Sequence, residues 1–213
     1  MKAIILAILV LVVTASGFIF PHPVEEGTRI VDTNGNAVRP RTSYEIISAG
    51  GGVSVENRHV NNTCFNTVFQ SKNGLNVAFV PIHGTNGALN TSMDTYVLFP
   101  YGCFANVSAC TTYTWRITPF GNGLYRYPWF VTSDGGKDTL SLFRVEKSRN
   151  GYYFRFCPFC EACTIPCQNI GLINDNGLKK LGLSDVPWIV NFKPAQGLAI
   201  LNPFIGPNCA KFP

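Results

Sequence analysis

Tyr152-Tyr-Phe-Arg-Phe156-Cys157-Pro-Phe-Cys160-Glu-Ala-Cys163-Thr-Ile-Pro-Cys167 runs an alternating segment into four closely spaced cysteines. In the first part Tyr152, Phe154 and Phe156 share one face, the two-residue period of a β-strand with one side turned to a core. In the second, the spacing C-x2-C-x2-C-x3-C copies the run that holds an iron–sulfur cluster in bacterial ferredoxins. What these cysteines bind or bridge therefore decides the class of the protein. The N-terminus makes the choice. Met1-Lys2 is followed by an apolar run from Ala3 to Val13 and by the small residues Ala15-Ser16-Gly17, the charge, core and cleavage pattern of a secretory signal peptide. That run is too short for a transmembrane helix, and no later stretch is long and apolar enough to replace it. A secreted chain meets oxidising conditions in which neighbouring thiols become disulfides, whereas a cluster needs reduced thiolates. The ferredoxin pattern also wants Pro straight after its last cysteine, and Gln168 stands there. The run reads as bridges, and the even total of 8 cysteines is what full pairing requires.

Outward from this stretch the chain is all-β. Six Asn-Gly dipeptides, at Asn34, Asn73, Asn86, Asn122, Asn150 and Asn176, signal tight hairpins, because both positions tolerate positive φ. Short alternating runs lie between them; Trp188, Val190 and Phe192 share a face as the earlier aromatics do. No helical period of 3.6 persists in the mature chain, so barrels and sandwiches are the candidate folds. The last strand ends near Lys193-Pro194. The expected organisation is a signal peptide over 1–17, a proline-bearing leader over 18–28, one domain over 29–195, and a tail over 196–213 without alternation.

Composition narrows the function classes. Only 14% of the 213 residues are charged and 13% are aromatic, a globular composition with an ample apolar interior. The net charge of +5 comes from singly scattered Lys and Arg, so no basic stripe points to nucleic acid. No membrane anchor is expected. Sequons at Asn61, Asn90 and Asn106 fit the secretory route and place the protein outside the cell or in the vacuole. Of the 3 histidines, His22, His59 and His83, none stands beside a nucleophile motif, and the sparse acids alternate with apolar residues or sit at turns. The chain reads as no enzyme, with no distinct metal or cofactor site.

Ile30-Val-Asp-Thr-Asn-Gly-Asn-Ala-Val38 followed by Tyr44-Glu-Ile46 resembles the opening of the soybean-type Kunitz inhibitor family at each constrained position. Further matches follow in order: Gly50-Gly-Gly52, Asn62-Thr-Cys64 to Gln70-Ser71, Cys110 to Trp115, Phe143-Arg-Val-Glu-Lys147, Tyr153-Phe-Arg-Phe-Cys157-Pro158, Ile170-Gly171 and Leu181 to Pro187. They cover roughly residues 28 to 195, and a colinear set is far more specific than a lone motif. The resemblance implies a β-trefoil of twelve short strands in three lobes. The four-cysteine run is similar to the miraculin-like branch, which implies pairs Cys64 with Cys110, Cys157 with Cys167, and Cys160 with Cys163. Cys103 and Cys209 have no counterpart in that pattern. They either pair with each other, pinning the tail, or one serves an intermolecular bridge.

The resemblance further implies a monomeric protease inhibitor whose one exposed loop lies in an endopeptidase cleft like a substrate. The matching loop is Pro81-Ile-His-Gly-Thr-Asn-Gly-Ala88, with Ile82, His83, Gly84, Thr85, Asn86 and Gly87 at its centre, and the primary-pocket residue falls at Thr85 or Asn86. A trypsin-like pocket carries a buried carboxylate that wants a cation, yet from Asn73 to Trp115 there is no Arg or Lys. The expected target is therefore not trypsin. The alternative reading is a storage or defence protein that has kept the fold and lost inhibition. The family's chlorophyll-binding branch is a third, and it needs a cofactor site that this sequence lacks.

Overall fold

The computed structural model describes residues 27–56, 58–60, 63–84, 87–100, 113–119, 128–158 and 166–195, with backbone alone for 58–60, 63–65 and 119. The expected signal peptide, the leader up to residue 26, the tail, Thr85, Asn86, Asn61, Asn106, Cys103, Cys110, Cys160, Cys163 and Cys209 lie outside these residues. The described chain forms fourteen strands. They are β1 (Tyr44–Ile47), β2 (Gly52–Val55), β3 (Arg58–Val60), β4 (Thr63–Phe65), β5 (Val68–Ser71), β6 (Asn76–Pro81) and β7 (Thr95–Leu98) in the first half. The second half adds β8 (Thr114–Pro119), β9 (Trp129–Gly135), β10 (Leu142–Ser148), β11 (Gly151–Phe156), β12 (Gln168–Asp175), β13 (Leu178–Ser184) and β14 (Asn191–Pro194). A 3-10 turn over Thr139–Ser141 is the one helical element among the described residues.

Seven strands close a barrel. Its order is β10-β11-β12-β13-β9-β8-β7, and the ring shuts where Leu142 and Phe143 of β10 pair with Tyr96 and Thr95 of β7. Closure removes the exposed edges that an open sheet would present. β6, β1 and β14 extend the path beyond β7, β5 pairs with β13 and carries β2 on its other side, and β3 with β4 forms a separate ladder.

Alternation puts the aromatic faces inside. Tyr152, Phe154 and Phe156 are buried, as are Trp188, Val190 and Phe192. They meet Phe79 of β6, Trp115 of β8 and Phe143 of β10, with Phe79 edge-on to Phe192 at 5.2 Å and Trp115 edge-on to Phe143 at 6.0 Å. Edge-to-face pairs place a positive ring rim on a negative face and add to the area buried. The Tyr152 hydroxyl reaches out of this core to accept the Val31 N–H at 2.9 Å, tying the N-terminal segment to β11. The Asn176-Gly177 turn joins β12 to β13 with φ of 51° and 83°, the left-handed pair that a two-residue hairpin requires.

Candidate functional site

β6 ends at Pro81 and β7 begins at Thr95, and the two residues pair across the ladder. The Ile82 N–H donates to the Asp94 carbonyl at 3.1 Å, one rung further, and then the connection leaves the barrel. Ile82, His83, Gly84 and Gly87 are exposed. A methyl group placed on Gly84 or Gly87 would meet nothing within 4 Å, so these two glycines stand in open space. Gly87 holds φ +81°, a left-handed angle that glycine adopts without Cβ strain.

The returning limb is held firmly. Leu89 is fully buried; its N–H donates to the Val38 carbonyl at 2.7 Å, and its carbonyl accepts the Ile30 N–H at 3.0 Å. Asn90 bridges Arg29. The Thr91 N–H donates to the Thr28 carbonyl at 2.8 Å, and the two hydroxyls lie 3.2 Å apart. Gly27 approaches so closely that a Cβ there would sit 1.9 Å from the Thr91 carbonyl oxygen. Residues 27 and 28, on the leader side of the expected boundary, thus pack on the loop's base.

The other side of the limb is fastened to β10. Ser92, at φ +62°, donates its N–H to the Val145 carbonyl at 3.2 Å, and its hydroxyl faces both Glu146 carboxylate oxygens at 3.1 Å. A non-glycine residue in the left-handed region costs of order 1 kcal/mol, which these contacts offset. The Arg144 guanidinium forks onto Asp94, Nε to Oδ1 at 2.7 Å and Nη2 to Oδ2 at 3.2 Å. The hydrogen bond donated to Asp94 raises the Arg144 pKa, against the opposing pull of burial. These charge-assisted paired bonds are directional as well as strong. Thr28, Thr91, Ser92, Asp94, Arg144 and Glu146 were not legible as site residues, because their partners lie 50 to 63 positions away. The one local hint was the Phe143-Arg-Val-Glu-Lys147 alternation, which sends Arg144 and Glu146 to the same face.

The Cys157–Cys167 disulfide is present, with Cα atoms 4.2 Å apart. It joins the end of β11 to the start of β12. Among the described residues no group of three His, Cys, Asp or Glu is arranged to hold a metal ion. No helix there is long and apolar enough to cross a membrane.

A closed all-β barrel that braces one limb of a protruding loop on two independent segments is a loop-presenting scaffold, and comparison with known proteins says which kind. The family model for legume-type Kunitz proteins, described as trypsin and protease inhibitor, matches residues 30–194; the chain belongs to that family. Kunitz trypsin inhibitor 4 of Arabidopsis thaliana is 31% identical over 191 residues, covering 78% of this chain and 82% of the relative. Aspartic protease inhibitor 10 of Solanum tuberosum is 26% identical over 190 residues, covering 77% and 81%. Among solved structures, the Kunitz-type cysteine protease inhibitor PCPI-3 from potato superposes with a TM-score of 0.64 at 24% identity, covering 81% of this chain and all of its own, a likeness of fold.

Proposed function

We propose that this protein inhibits an endopeptidase by docking the 82–87 loop in the enzyme's cleft as a poorly cleaved substrate. The observation that carries this reading is that Ile82, His83, Gly84 and Gly87 are exposed while the limb from Leu89 to Asp94 is braced on two segments. A loop already held in its bound shape loses little conformational entropy on association, so shape and rigidity supply affinity without chemistry by the inhibitor. No enzymatic role is assigned to it. Family membership supports the reading. The relatives' names span trypsin, aspartic and cysteine proteases, so the family alone does not name the target. The absence of Arg and Lys between Asn73 and Trp115 argues against trypsin, whose pocket carboxylate wants a cation from the docking loop itself.

The barrel and its extensions support the finer assignment of a β-trefoil with three lobes. The sequence of residues 1–17 supports entry into the secretory route, with the mature protein extracellular or vacuolar. It is assigned no nucleic-acid or membrane partner and works as a monomer. Glycosylation belongs to Asn61, Asn90 and Asn106; a sugar at Asn90 would rise from the loop's own base. The purified protein, assayed against trypsin-like, chymotrypsin-like, papain-like and pepsin-like proteases with sequencing of any slowly cleaved bond, tests the reading. Inhibition with cleavage between 82 and 88 is expected. Flat curves against every class would transfer the assignment to storage or defence.

A further inference from the structure

The end of the barrel away from the loop carries a concavity. β1 and β6 run antiparallel with Tyr44 opposite Val77 and Glu45 opposite Asn76. The turn after β1 therefore lies beside the start of β6, whereas the 82–94 connection leaves its finish. At the strand rise the two are separated by roughly 17 Å along β6. There Ser48, Gln70, Leu172, Lys179, Trp188 and Ile189 line a groove of about 430 Å³, within the size of small-molecule sites, roughly 300 to 1,000 Å³.

The polar side chains of the groove are Ser48, Gln70 and Lys179. The Ser48 hydroxyl is spent: it donates to the Gly51 carbonyl at 2.6 Å and accepts from Gln70 Nε2 at 3.0 Å and the Gly50 N–H at 3.3 Å. These bonds fix the Gln70 amide with one N–H to spare. The neighbouring Lys180 takes Asp175 at 2.7 Å and reaches Glu56 at 4.0 Å. Those two carboxylates are thereby engaged by Lys180, and Lys179 has no carboxylate partner among the described residues. Lys72 is exposed, with its Cα 2.9 Å from a Cβ built on Gly51, and adds a second uncommitted cation beside the same turn. Beneath them Leu172, Trp188 and Ile189 form an apolar floor, with Trp188 only 7% exposed.

Uncommitted donors and cations above apolar side chains select a ligand with an apolar body and a negative head. We propose that this groove is a second binding site, for a small amphiphilic carboxylate such as an aryl-alkanoic acid. Its ring or chain lies on Leu172, Trp188 and Ile189, and its carboxylate meets the Lys179 ammonium with the spare Gln70 N–H. The site is independent of the loop and of the inhibitor reading, and both can be filled at once.

The test titrates the full mature protein with 3-phenylpropionate and, as the uncharged control, 3-phenylpropionamide, following calorimetric heat and the Trp188 indole signal by NMR. Saturable binding of the acid with a shift of that signal is expected, and the amide should bind about tenfold or more weakly, the worth of one charge-assisted contact. Lys179→Glu should remove acid binding, Lys179→Arg should retain it, and neither should move the melting temperature, because the side chain is exposed. Protease inhibition measured with the groove saturated should be unchanged. Equal binding of acid and amide, unaltered binding by Lys179→Glu, or no saturable heat with either probe at millimolar concentration each overturns the proposal.

Discussion

Replacing Arg144 by alanine removes the fork that holds Asp94, and with it one of the loop's two anchors. Its worth follows from exposure. The two side chains are 30% and 17% exposed, between a surface pair, worth up to about 1 kcal/mol, and a buried pair, whose rupture costs roughly 3 to 5 kcal/mol. About 2 kcal/mol of stability is expected to go, a fall in melting temperature of about 4 to 8 °C for a chain of this size. The loop pays separately. Freeing even one backbone residue of the returning limb adds about 1 to 2 kcal/mol of ordering cost at docking, so inhibition should weaken about tenfold. Arg144→Lys keeps the charge and loses the planar fork, and should fall between. Asp94→Ala should match Arg144→Ala, and the double variant should be little worse than either, since both remove one interaction. Thermal unfolding, inhibition of whichever protease the panel identifies, and limited proteolysis at 82–88 read the three consequences. An Arg144→Ala protein with unchanged melting, inhibition and loop cleavage would refute the bracing argument; strict additivity in the double variant would refute the pairing.

Thr85→Arg or Asn86→Arg should create trypsin binding that the natural protein lacks, measured as inhibition of amide hydrolysis; strong trypsin inhibition by the unaltered chain would contradict the cation argument. Converting both Cys157 and Cys167 to Ser opens a bridge with a sequence separation of 10 and should cost roughly 2 to 3 kcal/mol in the loop-closure model, seen as an earlier urea midpoint. Burial is the main cause raising the Tyr44 pKa above its ordinary 10.0. The folded state therefore holds that proton more tightly, and stability is full below pH 10 and declines as pH rises through the folded pKa. Tyr96 acts in the same direction, chiefly by burial and then through Asp138. Urea unfolding at pH 8 and pH 11 should show the decline, and Tyr44→Phe should reduce it while losing the 2.8 Å bond from the Arg39 N–H, about 1 kcal/mol at either pH.

The amino-acid sequence by itself determined what depends on near neighbours. A two-residue period is a property of consecutive side chains, so the faces Tyr152–Phe154–Phe156 and Trp188–Val190–Phe192 were legible, and both are core. Turn chemistry is equally local: Asn176-Gly177 makes the hairpin it signals, the last strand ends at Pro194, and the 82–87 tip falls between β6 and β7. The family followed because such local constraints recur in a fixed order. Tertiary structure alone decided what depends on closure. The ring shuts where β10 meets β7, so Arg144 and Glu146 reach Asp94 and Ser92 across 50 and 54 positions, and Thr28 reaches Thr91 across 63. Period and turn type leave the pairing of distant strands open, because the cost of bringing them together grows only slowly with the length between them and is met by the whole core at once. The brace that makes a glycine-bearing loop rigid therefore exists only after the barrel has closed.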